Sequence, residues 1–400
     1  MQQNHIFKKN IIVYIRRGSL ELEWISPILE KFYKSKYDIY FYFKSKKALN
    51  EVKKSKFYYN FITKIKKKIK INHITNDLFL KIIRFLFKKM KFTNLENMIT
   101  EKLHSFNNFI KKIDKNLKIE NISFLMTEYD NFDYTIKKLY YDGNKKNLKI
   151  IHYPSAPAIH EHNIVDHGRK IYTNCLFLPS ERSVPFWQRK VLNKLVINDK
   201  FGLPQFHEDW IKNFKIEKKI EKKRVLIALN DVSEDYKKIK NEYKNFLTTI
   251  NALFDFLEIK KNDISVFIKL HPYKTLNFEK ILNKKINFQY LNESFMAGAF
   301  NSDIIITSFN SSASIYGSLL KKPVIALQNH FPHDQEKSDL YSRLGFSYAA
   351  RDDEDLLSKI DGILERKDDE IFNNQIIVGK KFFNTNKIVR DEIYNEILKL

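Results

Sequence analysis

Residues 303–327 read DIIITSFNSSASIYGSLLKKPVIAL. Residues 304–307 are all β-branched, the composition of a short buried strand. A polar turn over 308–312 follows, and 312–320 carries apolar residues at helical spacing. Lys321-Lys322-Pro323 ends that helix, and 324–327 opens a second apolar run. The reading is strand, turn, helix, strand. Parallel strands joined by a helix are buried on both faces, so this stretch predicts an α/β fold.

The pattern extends outward in both directions. Strands are predicted at 225–229, 264–270, 286–291 and 346–349, with helices at 235–257, 278–283 and 295–300. Together they make a doubly wound Rossmann-like domain over 224–380. The first half repeats the pattern less cleanly, with strands at 11–15, 39–43, 122–126, 148–152 and 176–178. We assign 1–185 to a first, acceptor-side Rossmann-like domain, 186–223 to an interdomain connection, and 381–400 to a terminal helix crossing back onto the first domain. A basic block at about 44–118 is predicted as a helical insertion between the second and third strands. Ligands of such sheets bind beyond the carboxyl ends of the strands, so the residues just after each strand carry the chemistry.

Composition narrows the chemistry further. Nine glycines occur in 400 residues, and no two lie within sixteen positions of each other. Neither a G-x-G-x-x-G turn nor a Walker A loop can be written in the chain, which excludes dinucleotide dehydrogenases and P-loop ATPases of the standard kind. Cys175 is the single cysteine, excluding a disulfide framework and a cysteine-built zinc site. An apolar fraction of 43% is enough to bury a core in each domain. The apolar run at 11–15 is too short, and too close to Arg16 and Arg17, for a signal-peptide core. The expectation is a cytoplasmic protein, peripheral at the inner face of the membrane.

The formal net charge is +24, and between Lys44 and Lys91 sixteen Lys or Arg face only Glu51 and Asp77. That block alone carries +14. Within it, Leu78, Phe79, Ile82, Ile83, Phe85, Leu86 and Phe87 alternate with Lys81, Arg84, Lys88, Lys89 and Lys91 at roughly helical spacing. A basic amphipathic helix of this type suits an anionic membrane surface. A solvated helical face fits the same pattern equally well. Nucleic acid is not expected as a partner, because no nucleic-acid-binding signature accompanies the charge.

Two groups of residues follow strand ends in the second domain. His271-Pro272 comes after the strand at 264–270, and Ser308-Phe309-Asn310-Ser311-Ser312 comes after the strand at 304–307. Hydroxyls and free backbone N–H groups at a helix start bind phosphate without glycine. A neighbouring histidine can offset the charge of a departing nucleotide. Ordinary N-capping, and a histidine satisfied by a nearby carbonyl, are the competing structural explanations.

The two groups together resemble the HP and SS motifs of bacterial surface-polysaccharide transferases. The matching residues are Ile-Lys-Leu-His271-Pro272, then Asp303 through Ser311-Ser312, then Lys321-Lys322-Pro323-Val324-Ile325. That group includes capsule Kdo transferases, polysialyltransferases and CDP-glycerol glycerophosphotransferases, and the likeness spans roughly 225–330. The resemblance implies a GT-B fold, two Rossmann-like domains facing a cleft, with His271, Ser311 and Ser312 holding a cytidine nucleotide and its phosphate. Pro272, Ser308 and Asn310 accompany them in the same turns. The expected activity is metal-independent transfer, without a cofactor, of a sugar from a nucleotide donor to a glycan or glycolipid acceptor. A CMP-activated acidic sugar such as Kdo or a nonulosonic acid is the favoured donor. Glycerol- or ribitol-phosphate transfer, sugar-nucleotide 2-epimerisation and a non-catalytic basic membrane-binding role are the alternatives.

One departure concerns the base. Polysialyltransferases carry an acidic pair before a glycine, and the nearest equivalent, Tyr141-Asp142-Gly143, has a single acid. Glu128 and Asp130, just after the strand at 122–126, are the candidate bases, although a solvated loop acid fits either. Arg16 and Arg17, after the first strand, and His152 are candidates for binding an acidic or phosphorylated acceptor. His152, His160, His162 and His167 with Glu161 and Asp166 admit a metal reading, but nothing fixes them on one face, and no metal site is assigned.

Overall fold

A computed structural model describes residues 9–71, 113–115, 117–129, 134–144, 147–159, 170–215, 222–230, 240–271, 276–284, 286–308, 311–327, 340–365 and 369–400. The chain forms two compact units, Met1–Gln205 with Asn386–Leu400, and Phe206–Thr385. Each is built on a six-stranded parallel sheet.

The first unit contains β1 (Asn10–Ile15), β2 (Asp38–Phe43), β3 (Lys66–Ile71), β4 (Ile122–Glu128), β5 (Lys149–Tyr153) and β6 (Cys175–Leu176). Their spatial order is β3-β2-β1-β4-β5-β6, all parallel. Every residue of β1 is buried, as expected for a central strand covered on both faces. Helix Ser19–Lys34 covers one face through Leu22, Trp24, Ile25, Ile28, Leu29 and Phe32. The terminal helix Lys387–Lys399 packs on it: Lys31 pairs with Asp391 at 2.7 Å, and the Phe32 and Tyr394 rings lie 4.7 Å apart.

The basic block differs from its sequence reading. Its described part holds helices Lys46–Lys54 and Lys56–Ile65, but Lys66–Ile71 is the edge strand β3 rather than helix. Its lysines are exposed at 66–68, which protects an open sheet edge from pairing with another chain. The amphipathic segment at 78–91 lies outside the described residues.

The second unit contains β7 (Lys223–Ala228), β8 (Ile264–Ile268), β9 (Gln289–Tyr290), β10 (Ile304–Ser308), β11 (Val324–Leu327) and β12 (Tyr348–Ala350). Their order is β12-β11-β10-β7-β8-β9, again parallel. One core joins Val225, Ile227, Ile304, Ile306 and Ile325 of the sheet to Ile250, Leu253 and Phe254 of helix Lys240–Ile259. Helix Ala313–Leu319 approaches the sheet closely because residue 317 is glycine: a Cβ there would stand 2.0 Å from Val324 Cγ2. Gln375, on helix Asp369–Phe382, accepts from Val324 N and donates to Val324 O, both at 3.0 Å. Among the described residues no helix is long and apolar enough to cross a membrane.

Both strand orders place the topological switch between the first and fourth strands of the unit. In the first unit that point lies between β1 and β4, and in the second between β7 and β10.

Candidate functional site

The switch point of the second unit is built from short polar side chains. Thr307 Oγ1 donates to Ala228 O at 3.1 Å, and Asn230 N donates to Ser308 Oγ at 2.8 Å, so the ends of β10 and β7 are tied together. Ser308 is buried and its hydroxyl shapes the backbone after β7. Ser311 Oγ accepts from Ala313 N at 3.3 Å and therefore acts as a local cap for the next helix. Ser312, the N-cap residue of that helix, makes no capping bond with its side chain. The two serines thus differ, one hydroxyl serving the backbone and the other making no capping bond. Asn310 and Pro272 lie outside the described residues.

His271 is half-buried and follows the end of β8 by three residues, at the same sheet edge. β8 lies beside β7, which lies beside β10. Two strand spacings are about 10 Å, so His271 and Ser308 follow the carboxyl ends of strands about that far apart on one sheet edge. Lys269, just before His271, is fixed by donating to Glu293 O at 2.5 Å.

The first unit's switch point carries charge instead. Arg16 and Arg17 follow β1, and both guanidinium groups pair with Glu128 at the end of β4, the Arg17 contact at 3.2 Å. Glu21, in the first turn of helix Ser19–Lys34, accepts from the backbone N–H groups of Arg16 and Arg17 at 2.8 Å each. This is a reach-back of the capping-box type, which fixes the loop between strand and helix. Burial pushes the Glu21 carboxyl above its ordinary range, while the charges and N–H groups of Arg16 and Arg17 pull it back. Gly18 completes the turn at φ +133°, and a Cβ there would meet Glu51 Cβ at 2.6 Å.

Tyr153, at the end of β5, is fully buried and stacks on Trp24 with ring centroids 5.5 Å apart. Burial, reinforced by the charge of Glu21, raises its hydroxyl well above the usual tyrosine range and keeps it protonated.

The structure therefore brings Arg16, Arg17 and Glu128 together at one switch point, and sets Ser308, Ser311, Ser312 and His271 along the sheet edge of the other. It differs from the sequence reading at two positions. β4 continues through Glu128, so this carboxylate is fully buried and paired, not a solvated loop acid. His152 is fully buried within β5, paired in register with Thr127 and Leu176, and this corrects its assignment as an acceptor contact. Asp130, like His160, His162 and His167, lies outside the described residues. Tyr141-Asp142-Gly143 sits in helix Tyr134–Asn144, where Gly143 packs against Leu148. Glu21 is the residue that sequence reasoning missed, although a glutamate three residues after Gly18 is a recognisable capping signal.

No family model and no curated protein matches the sequence. Solved structures do match the fold. A putative UDP-N-acetylglucosamine 2-epimerase from Listeria monocytogenes superposes with a TM-score of 0.60 at 13% identity, over 98% of this chain and 95% of that one. The wall teichoic acid polymerase TagF gives 0.54 at 11% identity, over 98% and 89%. The calicheamicin glycosyltransferase CalG4 gives 0.52 at 8% identity, over 98% of both. At such identities the likeness is one of architecture: the chain has the GT-B fold of two Rossmann-like domains.

Proposed function

We propose that the protein is a metal-independent glycosyltransferase that moves a sugar from a nucleotide donor onto a bacterial surface glycan. A CMP-activated acidic sugar such as Kdo or a nonulosonic acid is the proposed donor. The observation that carries this reading is the row of Ser308, Ser311, Ser312 and His271 along the carboxyl edge of β10, β7 and β8, at the switch point of the second sheet. It coincides with the HP and SS pattern of surface-polysaccharide transferases. Fold neighbours that handle nucleotide sugars support the class, among them a Neisseria meningitidis 2-epimerase solved with UDP-GlcNAc, with a TM-score of 0.52.

In this scheme the second unit holds the donor. Ser312 supplies a hydroxyl to the phosphate, and His271 donates a hydrogen bond to the phosphate oxygen that gains charge as the glycosidic bond breaks. Fixed dipoles and an imidazole do the neutralising, so the scheme calls for no metal. The first unit binds the acceptor, with Arg16 and Arg17 meeting its carboxylate or phosphate. Glu128 holds the two guanidinium groups in place. Asp130 is the proposed base for the acceptor hydroxyl, and the lysines of 44–91 are proposed to hold the enzyme at an anionic membrane surface.

The test is a thermal-shift and calorimetric screen against CMP, CDP, UDP and GDP. Ligand at a hundred times its Kd adds about 2.7 kcal/mol of stability, so CMP is expected to raise the melting temperature clearly. Ser312→Ala is expected to weaken CMP about tenfold, the loss of one hydrogen bond to a charged group, with melting unchanged. Ser311→Ala is expected to lower stability by about 0.5–1 kcal/mol through its cap. A response to UDP alone rejects the CMP donor. Nucleotide release from a UDP-sugar without any acceptor identifies an epimerase instead.

A further inference from the structure

The first unit carries an apolar feature that the proposed chemistry does not use. Leu195 is 90% exposed and Leu192 is 54% exposed, three residues apart on one turn. The turn is firmly built. Asn193 caps the short 3-10 helix Lys194–Val196, its side chain accepting from Leu195 N at 3.0 Å. Val191 bridges to Ile171 on one side of the turn, and Ile197 bridges to Leu176 on the other. Beneath it, Phe186, Trp187, Val191, Leu176 and Leu178 form a separate buried cluster against which Val196 and Ile197 pack. Leu195 is therefore held out in water by a fixed platform and not by a loose tip.

The surroundings are cationic. From residue 181 to residue 200 the chain contains Arg182, Arg189, Lys190, Lys194 and Lys200 against Glu181 and Asp199, and Lys200 stands beside Asp199. Arg182, Arg189 and Lys194 are exposed, and Lys170 reaches the turn by donating to Arg189 O at 2.7 Å. Two outward leucines on a turn of net positive charge match a layer that is anionic at its surface and apolar beneath. A second copy of the same patch is a poor occupant, because self-pairing would set these cations against one another.

We infer that the turn carrying Leu192 and Leu195 docks on a bilayer containing anionic lipid, inserting both leucines below the headgroups. This attachment point is a different stretch of the chain from the lysine-rich residues 44–91 and does not depend on the donor chemistry.

The experiment is flotation of the full chain with phosphatidylglycerol–phosphatidylcholine vesicles and with phosphatidylcholine alone. Wild type is expected to float with the anionic vesicles, less so as salt rises. Leu192→Gln with Leu195→Gln is expected to lose about tenfold or more in vesicle affinity while melting as wild type does. A reporter follows from the cysteine content. Cys175 is buried, and burial pushes its thiol up to about 12, so it stays unreactive and an environment-sensitive dye will label Leu195→Cys selectively. The dye emission is expected to shift to the blue on anionic vesicles only. Failure of wild type to float overturns the proposal. Equal flotation of the double variant overturns it too, and leaves attachment to the lysine block. A dye shift that appears with protein concentration instead of vesicles would identify a self-association surface and reject the bilayer.

Discussion

Replacing His271 with alanine is expected to lower turnover of the donor by about 10² to 10⁴-fold. In the proposed transfer the bond that breaks leaves negative charge on a nucleotide phosphate, and a hydrogen-bond donor just beyond the end of β8 would meet it. An interaction of this kind strengthens as the charge develops, so kcat should fall while the KM for donor changes little. Transfer to acceptor and the slow transfer to water should fall together, because both pass through departure of the same group. His271 is half-buried and lies outside the strand, so the variant is expected to keep the wild-type melting temperature. His271→Asn, which retains a donor without the charge, should recover part of the rate. Steady-state kinetics with CMP-sugar donors and a melting curve decide the matter. A kcat within a factor of two of wild type would remove His271 from the chemistry and leave it a structural residue of the turn.

The legibility of this chain was uneven for physical reasons. Central strands announce themselves: Ile11 to Ile15 and Ile304 to Ile306 are apolar throughout because both faces of a parallel sheet are covered. Edge strands do not. β3 is composed of KKKIKI, and its lysines look like the neighbouring helical lysines, so the segment read as helix. β9 was expected over six residues and has two, since an edge strand lacks the second neighbour that would extend its pairing. The terminal helix, expected over 381–400, runs from Lys387 to Lys399 and starts only after the polar Asn384-Thr385-Asn386. In the second unit the placement of His271, Ser308, Ser311 and Ser312 just after strand ends was legible because strand ends and polar turns are local in sequence. In the first unit Arg16, Arg17 and Glu128 could be read as strand-end residues singly but not as a group. Glu128 lies more than a hundred residues from Arg16, and only the pairing of β1 with β4 shows that they meet.

That meeting defines the second large effect. Glu128→Ala is expected to destabilise the first unit by about 3 kcal/mol, the lower end for breaking a buried ion pair. The lower end applies because Arg17 keeps 29% of its side-chain surface and can recover water, whereas Arg16 keeps only 16%. At about 2–4 °C per kcal/mol for a unit of this size, the melting temperature should drop by about 6–12 °C. Glu128→Gln keeps the shape and one acceptor oxygen and should cost less. Combining Glu128→Leu with Arg16→Met removes the charges as a pair and should restore most of the stability. Function separates the positioning role from mere stability. With the anchor gone, Arg16 and Arg17 no longer present a fixed pair of donors, so the KM for an anionic acceptor should rise. The affinity for nucleotide, held by the other unit, should stay as it is. Glu128→Gln, measured well below its melting temperature, is the decisive variant for this split. Unchanged acceptor KM in that variant, together with wild-type melting in Glu128→Ala, would mean that the two arginines are oriented by Glu21 and the loop backbone alone.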